Sequence, residues 1–356
     1  MTRSITIAAF LSLPTLLVPS SAFAESILGQ LPTSAERIVS TVPTNGDVNP
    51  YGVAFVPEGF REDGMLQAGD ILVSNFNNSQ NVQGTGTTIV KITPGGAVSV
   101  FFQGEPGLGL TTALGILRGG FVLVGNLPTT NDGANVEQGS LLVIDRFGHL
   151  VTTLASASLL DGPWDLTIND ECPSAQIFVS NVLSGTVTRL DVFAANDSFH
   201  VVDANQIAHG YLHRTDPAAL VVGPTGLAYD RFRDVLYVAS TGDNEIFAIP
   251  FARGTLNDAG LGALVYKDNT HLHGPLGLAL APNGNLITAN GDAVNVGGTQ
   301  NALVEFTQQG KFVAQFQVDP GAGGGAFGLA FSGGFENFRF AAVDDDQNTL
   351  DIWNIH

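Results

Sequence analysis

A short apolar motif returns six times along this 356-residue chain, and that periodicity restricts the available folds more than any other property. The copies are Pro50-Tyr51-Gly52-Val53-Ala54-Phe55, Ala113-Leu114-Gly115-Ile116-Leu117, Pro163-Trp164-Asp165-Leu166-Thr167-Ile168, Pro224-Thr225-Gly226-Leu227-Ala228-Tyr229, Pro275-Leu276-Gly277-Leu278-Ala279-Leu280 and Ala326-Phe327-Gly328-Leu329-Ala330-Phe331. Their mean spacing is about 55 residues, which is long for a solenoid repeat and right for a propeller blade. Each copy precedes a second apolar run ending in a small polar residue, as in Ile71-Leu72-Val73-Ser74-Asn75 and Ile177-Phe178-Val179-Ser180-Asn181. Third and fourth runs follow, such as Thr88-Ile89-Val90-Lys91-Ile92 and Val98-Ser99-Val100-Phe101-Phe102, separated by turn signals like Pro94-Gly95-Gly96 and Pro282-Asn283-Gly284.

Four strands in each of six repeats predict an all-β, six-bladed β-propeller of four-stranded blades. Low charge (13%) and 43 glycines suit a protein of many tight turns, and 44% hydrophobic residues suffice for a large core. The last repeat holds only three strand-like runs before His356. The segment Glu36–Val42, near the start of the chain, is expected to supply the fourth strand and to close the last blade, protecting an open sheet edge.

Residues 1–24 read as a secretory signal: Arg3, an apolar run from Ile5 to Val18, and the small-residue cleavage pattern Ala22-Phe23-Ala24. Residues 25–356 are then expected to form a single propeller domain, secreted or periplasmic, with no membrane insertion after cleavage. A net charge of −19 excludes nucleic acid as a main partner, because phosphate binding needs clustered Lys and Arg. One cysteine, Cys172, excludes an internal disulfide framework.

The unit Gly226-Leu227-Ala228-Tyr229-Asp230 followed by Leu236-Tyr237-Val238-Ala239-Ser240-Thr241-Gly242-Asp243-Asn244-Glu245-Ile246 resembles the NHL-repeat class of six-bladed propellers. The match is good in blades four and five and looser elsewhere; Ser240 stands where the class has Asp, and Asp165 where it has Gly. The resemblance implies a fold. Because the class includes binding proteins, lyases and lactonases, it leaves activity open.

In a propeller, the loops entering the inner strands and leaving the second strands share one face. Two sets of side chains are expected to converge there: Tyr51, Leu114, Trp164, Thr225, Leu276 and Phe327, and then Asn75, Asn126, Asn181, Ser240, Asn290 and Asp344. Asn offers donor and acceptor without charge, so an amide ring beside Tyr51 and Trp164 suits a polyhydroxylated or peptide-like ligand. The alternative is that Asn ends these strands through its own turn geometry. Asn-Val recurs in the long loops of blades one, two and five, at Asn81-Val82, Asn135-Val136 and Asn295-Val296.

Lactonase relatives hold an axial divalent ion through carboxylates at the inner-strand starts, and propeller lyases use His near the axis. Here the inner strands start with few oxygen ligands. Calcium or another divalent metal is therefore only the alternative, with Asp344 and the Asn ring as its ligands. Asp344-Asp345-Asp346 reads as a solvated hairpin turn, and His273, with His271 two residues before, is the one histidine placed near an inner strand.

The expectation is an exported propeller that binds a small-molecule, glycan or peptide ligand on its loop-rich face, or docks another exported protein. Tyr51, Asn75, Asn126, Trp164, Asp165, Asn181, Asn290, Asp344 and His273 are its candidate ligand-binding residues. No catalytic or metal residue is assigned. The alternative is a metal-dependent, lactonase-like hydrolase or a lyase with an axial metal site.

Overall fold

In this computed structural model, residues 25–195, 197–291, 293–294, 302–319, 326–334 and 337–355 are described. Residues 1–24, expected from the sequence to be a signal, the blade-five pair Asn295-Val296 and the glycine run 321–325 lie outside them.

Six four-stranded antiparallel sheets form the molecule. Their inner strands are Val48–Phe55, Leu110–Leu117, Pro163–Glu171, Pro224–Asp230, Pro275–Leu280 and Leu329–Gly333. Each inner strand abuts the next, and that of blade six abuts that of blade one, so the sheets close a ring. In blade six, Arg37–Ser40 pairs antiparallel with Thr349–Ile355, Val39 facing Leu350. The chain start thus supplies the outer strand, as its sequence predicts.

Burial falls from axis to rim. The second strand of blade one, Ile71–Asn77, is buried at every residue, while the outer strand of blade two, Leu150–Leu154, has none buried. Inner and second strands are covered on both faces by neighbouring blades, which explains their unbroken apolar runs. Each cleft between blades carries its own apolar cluster; Leu72, Ile89, Val122 and Ile144, for instance, fill the one between blades one and two.

Hydroxyls then tie blade to blade. Ser74 Oγ donates to the Thr111 carbonyl (2.8 Å), Thr111 Oγ1 to that of Pro163 (2.8 Å), Ser180 Oγ to that of Thr225 (2.7 Å) and Thr241 Oγ1 to that of Pro275 (2.7 Å). These bonds give carbonyls near the axis a partner from the neighbouring blade.

Two features depart from the sequence reading. The pairings Val53 with Val73, Leu114 with Val124 and Leu227 with Val238 make Leu114 the equivalent of Val53 and Leu227. Ala113, not Gly115, therefore holds the third position of blade two, and Thr112 replaces Leu114 in the axial set. The excursion after Val192 also contains an element the sequence hid. Ser198–His209 is the outer strand of blade three, and Arg214–Asp216 with Leu220–Val222 forms an extra hairpin.

Candidate functional site

The third position of the inner strand explains the geometry at the axis. There the chain passes so close to the next blade that a Cβ on Gly277 would lie 1.9 Å from the Phe327 carbonyl oxygen, and one on Gly328 2.2 Å from that of Tyr51. Glycine is the side chain that fits such an approach. A register shift just before this position bulges the inner strands of blades one to five, between Pro163 and Asp165 in blade three. The bulge breaks strand alternation, so consecutive residues such as Trp164 and Asp165 both line axial space.

The second-position residues form a layer across the axis. Tyr51 stacks on Phe327 (centroids 4.3 Å apart) and on Phe76 (4.6 Å), and Trp164 meets Tyr51 edge-on at 5.7 Å. Leu276 packs into the same cluster, together with Leu220 and Val221 of the extra hairpin. This hairpin lies over the layer as a cover. Asp216 Oδ1 accepts from the Ala218 and Ala219 amides (3.0 and 3.2 Å), and Arg214 pairs with Asp216 at 3.1 Å. Leu220 leaves the turn at φ +64°, a conformation that strains a branched side chain.

Between layer and cover lies a cavity of about 90 Å³, lined by Asn49, Tyr51, Trp164, Ala219, Leu276 and Phe327 among others. Two of its lining residues carry buried polar atoms without a hydrogen-bond partner among the described residues: Trp164 Nε1, a donor, and Asn49 Oδ1, an acceptor. Trp164 is 3% exposed, so bulk water does not reach its indole N–H. Asn49 itself sits at φ +62°, its amide donating to Asn348 Oδ1 at 2.7 Å.

Below the layer a second, larger cavity of about 310 Å³ follows the axis from the third position to the ends of the inner strands. Asp165 sits at its top, and half-exposed Tyr229, Leu280 and Phe331 mark its opening on the opposite face from the long loops. Asp165 Oδ1 accepts from the Leu166 amide (2.8 Å) and Oδ2 from the Leu227 amide (3.0 Å). Burial nonetheless pushes its carboxyl well above the ordinary range, outweighing those two bonds.

The asparagines do something else. Asn75, Asn181 and Asn290 are fully buried, and none of them lines either axial cavity. Asn75 Nδ2 donates to the Thr41 carbonyl (3.0 Å). Asn181 Nδ2 donates to the Leu159 carbonyl and to Thr186 and Thr188 Oγ1, each at 3.1 Å. Asn290 Nδ2 donates to the His271 carbonyl (2.7 Å), while its Oδ1 accepts the His273 amide (2.8 Å). In blades one, three and five, the strand-end amide thus pins the linker that leads into its own blade. Asn126 Oδ1 instead accepts from Ser140 Oγ (2.7 Å). Oδ1 of Asn75 and of Asn181 is buried and has no hydrogen-bond partner among the described residues.

Asp344 begins the hairpin turn between Phe338–Asp344 and Thr349–Ile355, where its Oδ1 accepts the Gln347 amide at 3.0 Å; it is buried rather than solvated, and it lines neither axial cavity. His273 is buried beside Asn290 and lines neither axial cavity. His271 turns away from it, its Nδ1 2.5 Å from Asp268 Oδ2 and its ring stacked on Phe312 at 3.8 Å.

Among the described residues no three His, Cys, Asp or Glu side chains gather to hold an ion, and Asp165 is the one carboxylate lining the axial channel. Besides Ala219 and Val221 of the hairpin, sequence reasoning missed Asn49 and Thr112 here. Asn49 precedes the repeat by one place, and Thr112 was hidden by the register of blade two; its hydroxyl donates to the Trp164 carbonyl.

No family model matches the chain, and no curated protein matches it. Solved structures do. A chain of a nidogen/laminin complex is 12% identical over 80% of this chain and 84% of that one, with a TM-score of 0.51. A gluconolactonase from Xanthomonas campestris is 14% identical over 90% of each chain (TM-score 0.51). An α-L-arabinofuranosidase from Fusarium graminearum, solved with an iminosugar inhibitor, is 11% identical over 90% of this chain and 98% of that one (TM-score 0.54). At such identities the likeness is one of architecture, and the chain is a six-bladed β-propeller of the kind found in these proteins.

Proposed function

We propose that the protein is an exported binding propeller whose loop-rich face takes the secondary-amide group of a small ligand, such as an acetamido sugar or a peptide end. One observation carries this reading: two residues that line the same small cavity, Trp164 and Asn49, bear a donor (Nε1) and an acceptor (Oδ1) without a hydrogen-bond partner among the described residues. A secondary amide offers one acceptor and one donor, the complement of that pair. The cavity's volume of about 90 Å³ fits a headgroup rather than a whole sugar ring, so the rest of the ligand lies outward, under the hairpin or beyond it. Tyr51, Phe327 and Leu276 supply the apolar wall against which a methyl packs.

Titration calorimetry with N-acetylglucosamine, glucose and N-methylacetamide tests this. N-acetylglucosamine and N-methylacetamide are expected to bind and glucose not to. Trp164→Phe keeps the aromatic wall and removes the N–H, which is expected to weaken binding about tenfold, the value of one neutral hydrogen bond. Equal affinity for glucose and N-acetylglucosamine, or an unaffected Trp164→Phe variant, refutes the reading. Binding of N-methylacetamide but not of the sugar points to a peptide ligand.

Export rests on the pattern of residues 1–24, and the NHL-type character of the repeat on residues 226–246. Cleavage after Ala24 would leave Glu25 first. The segment that follows is firmly seated: the Ile27 and Leu28 amides donate to the buried Glu305 carboxylate at 3.1 and 2.9 Å. The intact mass of the exported protein checks this, with loss of residues 1–24 expected.

A further inference from the structure

Beyond the loop-face cavity, the lower axial channel carries a feature of its own. At the third position of the inner strand, blades one, four, five and six have Gly52, Gly226, Gly277 and Gly328, and blade two has Ala113. Blade three alone places a carboxylate there. Asp165 is not needed to relieve the close approach, because four glycines and an alanine manage it elsewhere. Nor does a cationic side chain pair with it: its two oxygens accept the Leu166 and Leu227 amides, and no Lys, Arg or His among the described residues lines the channel. Leu166, Leu227, Leu278, Leu329 and Phe331 supply apolar side chains along the rest of the wall, with Thr112 and Thr167 adding neutral hydroxyls. Tyr229, the other ionisable group lining it, is engaged through its hydroxyl with Asp234 Oδ1 at 2.8 Å.

A carboxylate held in this cavity without a cation is costly, and either a proton or a cationic ligand has to offset its charge. We infer that the lower axial channel is a second binding site, for a small apolar primary amine whose ammonium meets Asp165 and whose hydrocarbon body lies between the inner-strand leucines. Because burial raises the proton affinity of Asp165, an arriving ammonium takes the place of a proton as the group's counter-charge, and proton release is expected to accompany binding. The aromatic layer of Tyr51, Trp164 and Phe327 separates this well from the loop-face cavity, so the site does not depend on the amide reading. The ligand enters from the face of the inner-to-second-strand turns, past Tyr229, Leu280 and Phe331.

Three probes of one shape test it: phenethylamine, phenethyl alcohol and phenylacetate, titrated calorimetrically into the whole exported protein. Phenethylamine is expected to bind one to one and at least tenfold more tightly than the alcohol, with phenylacetate the weakest. Asp165→Asn should abolish that preference by removing the charge. Asp165→Gly should do the same with a residue that four other blades already accept, so a folding defect in the first variant does not hide the answer. The preference for amine over alcohol in the unaltered protein needs no variant at all. Equal binding of amine and alcohol, no binding of the amine, or a preference that survives in Asp165→Gly overturns the inference.

Discussion

At Asn181 a single amide nitrogen reaches a carbonyl and two threonine hydroxyls, and the residue has no exposed surface. Asn181→Ala is expected to destabilise the fold by about 1–3 kcal/mol, because the two N–H donors shared among these acceptors are lost from a buried site. Denaturant unfolding measures this, and amide binding at the loop face should be unchanged in the folded fraction. Gly277→Ala belongs to the same scale. Its new Cβ would meet a backbone oxygen that cannot swing aside, so a loss of about 3 kcal/mol or more is expected by the same measurement. The sequence marked both positions as special but could not say for what. A strand-final Asn looks the same whether its amide faces a ligand or its own linker, since both uses need a polar, turn-tolerant residue. Trp164 was legible as axial because it sits inside the repeat. Its partner Asn49 was not, because its importance arises from a backbone at φ +62° that brings it over the axis.

Among the elements, the hairpin from Arg214 to Val222 has the clearest mechanical role. Asp216 fastens its turn, and the amides of Ala218 and then Ala219 hold that carboxyl below its usual range, Arg214 adding to them. Asp216→Ala is expected to loosen the cover and to raise both association and release rates for N-acetylglucosamine, read by stopped-flow; unchanged rates would remove the hairpin from the entry path. Neither this hairpin nor the outer strand Ser198–His209 was visible in the sequence. That strand is exposed over much of its length and so lacks the apolar run by which the inner strands announce themselves. The closing strand Arg37–Ser40 was legible for the opposite reason, since the last repeat was visibly one strand short. Blade two was read two residues out of register. The Ala-Leu-Gly of its motif copies the right composition, and only pairing with the second strand fixes the register.

For the whole molecule, acid should stabilise before it destroys. Burial first, then Thr349 acting oppositely and the charges of Asp344 and Asp319 acting with burial, pushes the Asp351 carboxyl up from 3.8 to about 6. The folded state thus holds its proton more tightly than the unfolded chain. The associated stability is full below about pH 4 and is lost as pH rises to about 6. Asp344 shifts in the same direction. Asp268 and Asp216, held low by hydrogen bonds, act oppositely, and their contribution fades only as pH drops below about 4. Thermal unfolding should therefore show a higher midpoint at pH 5 than at pH 7.5. Asp351→Asn should raise the midpoint at pH 7.5 and narrow the gap; a midpoint that falls on going to pH 5 would contradict this. The ring has a further consequence. Because Arg37–Ser40 lies beside Thr349–Ile355 as an ordinary third and outer strand would, the place where the chain begins and ends is topologically arbitrary. A circular permutant, with the old ends joined by a short turn and new ones opened near Gly254 between Glu245–Pro250 and Ala263–Tyr266, would simply move the seam from blade six to blade four.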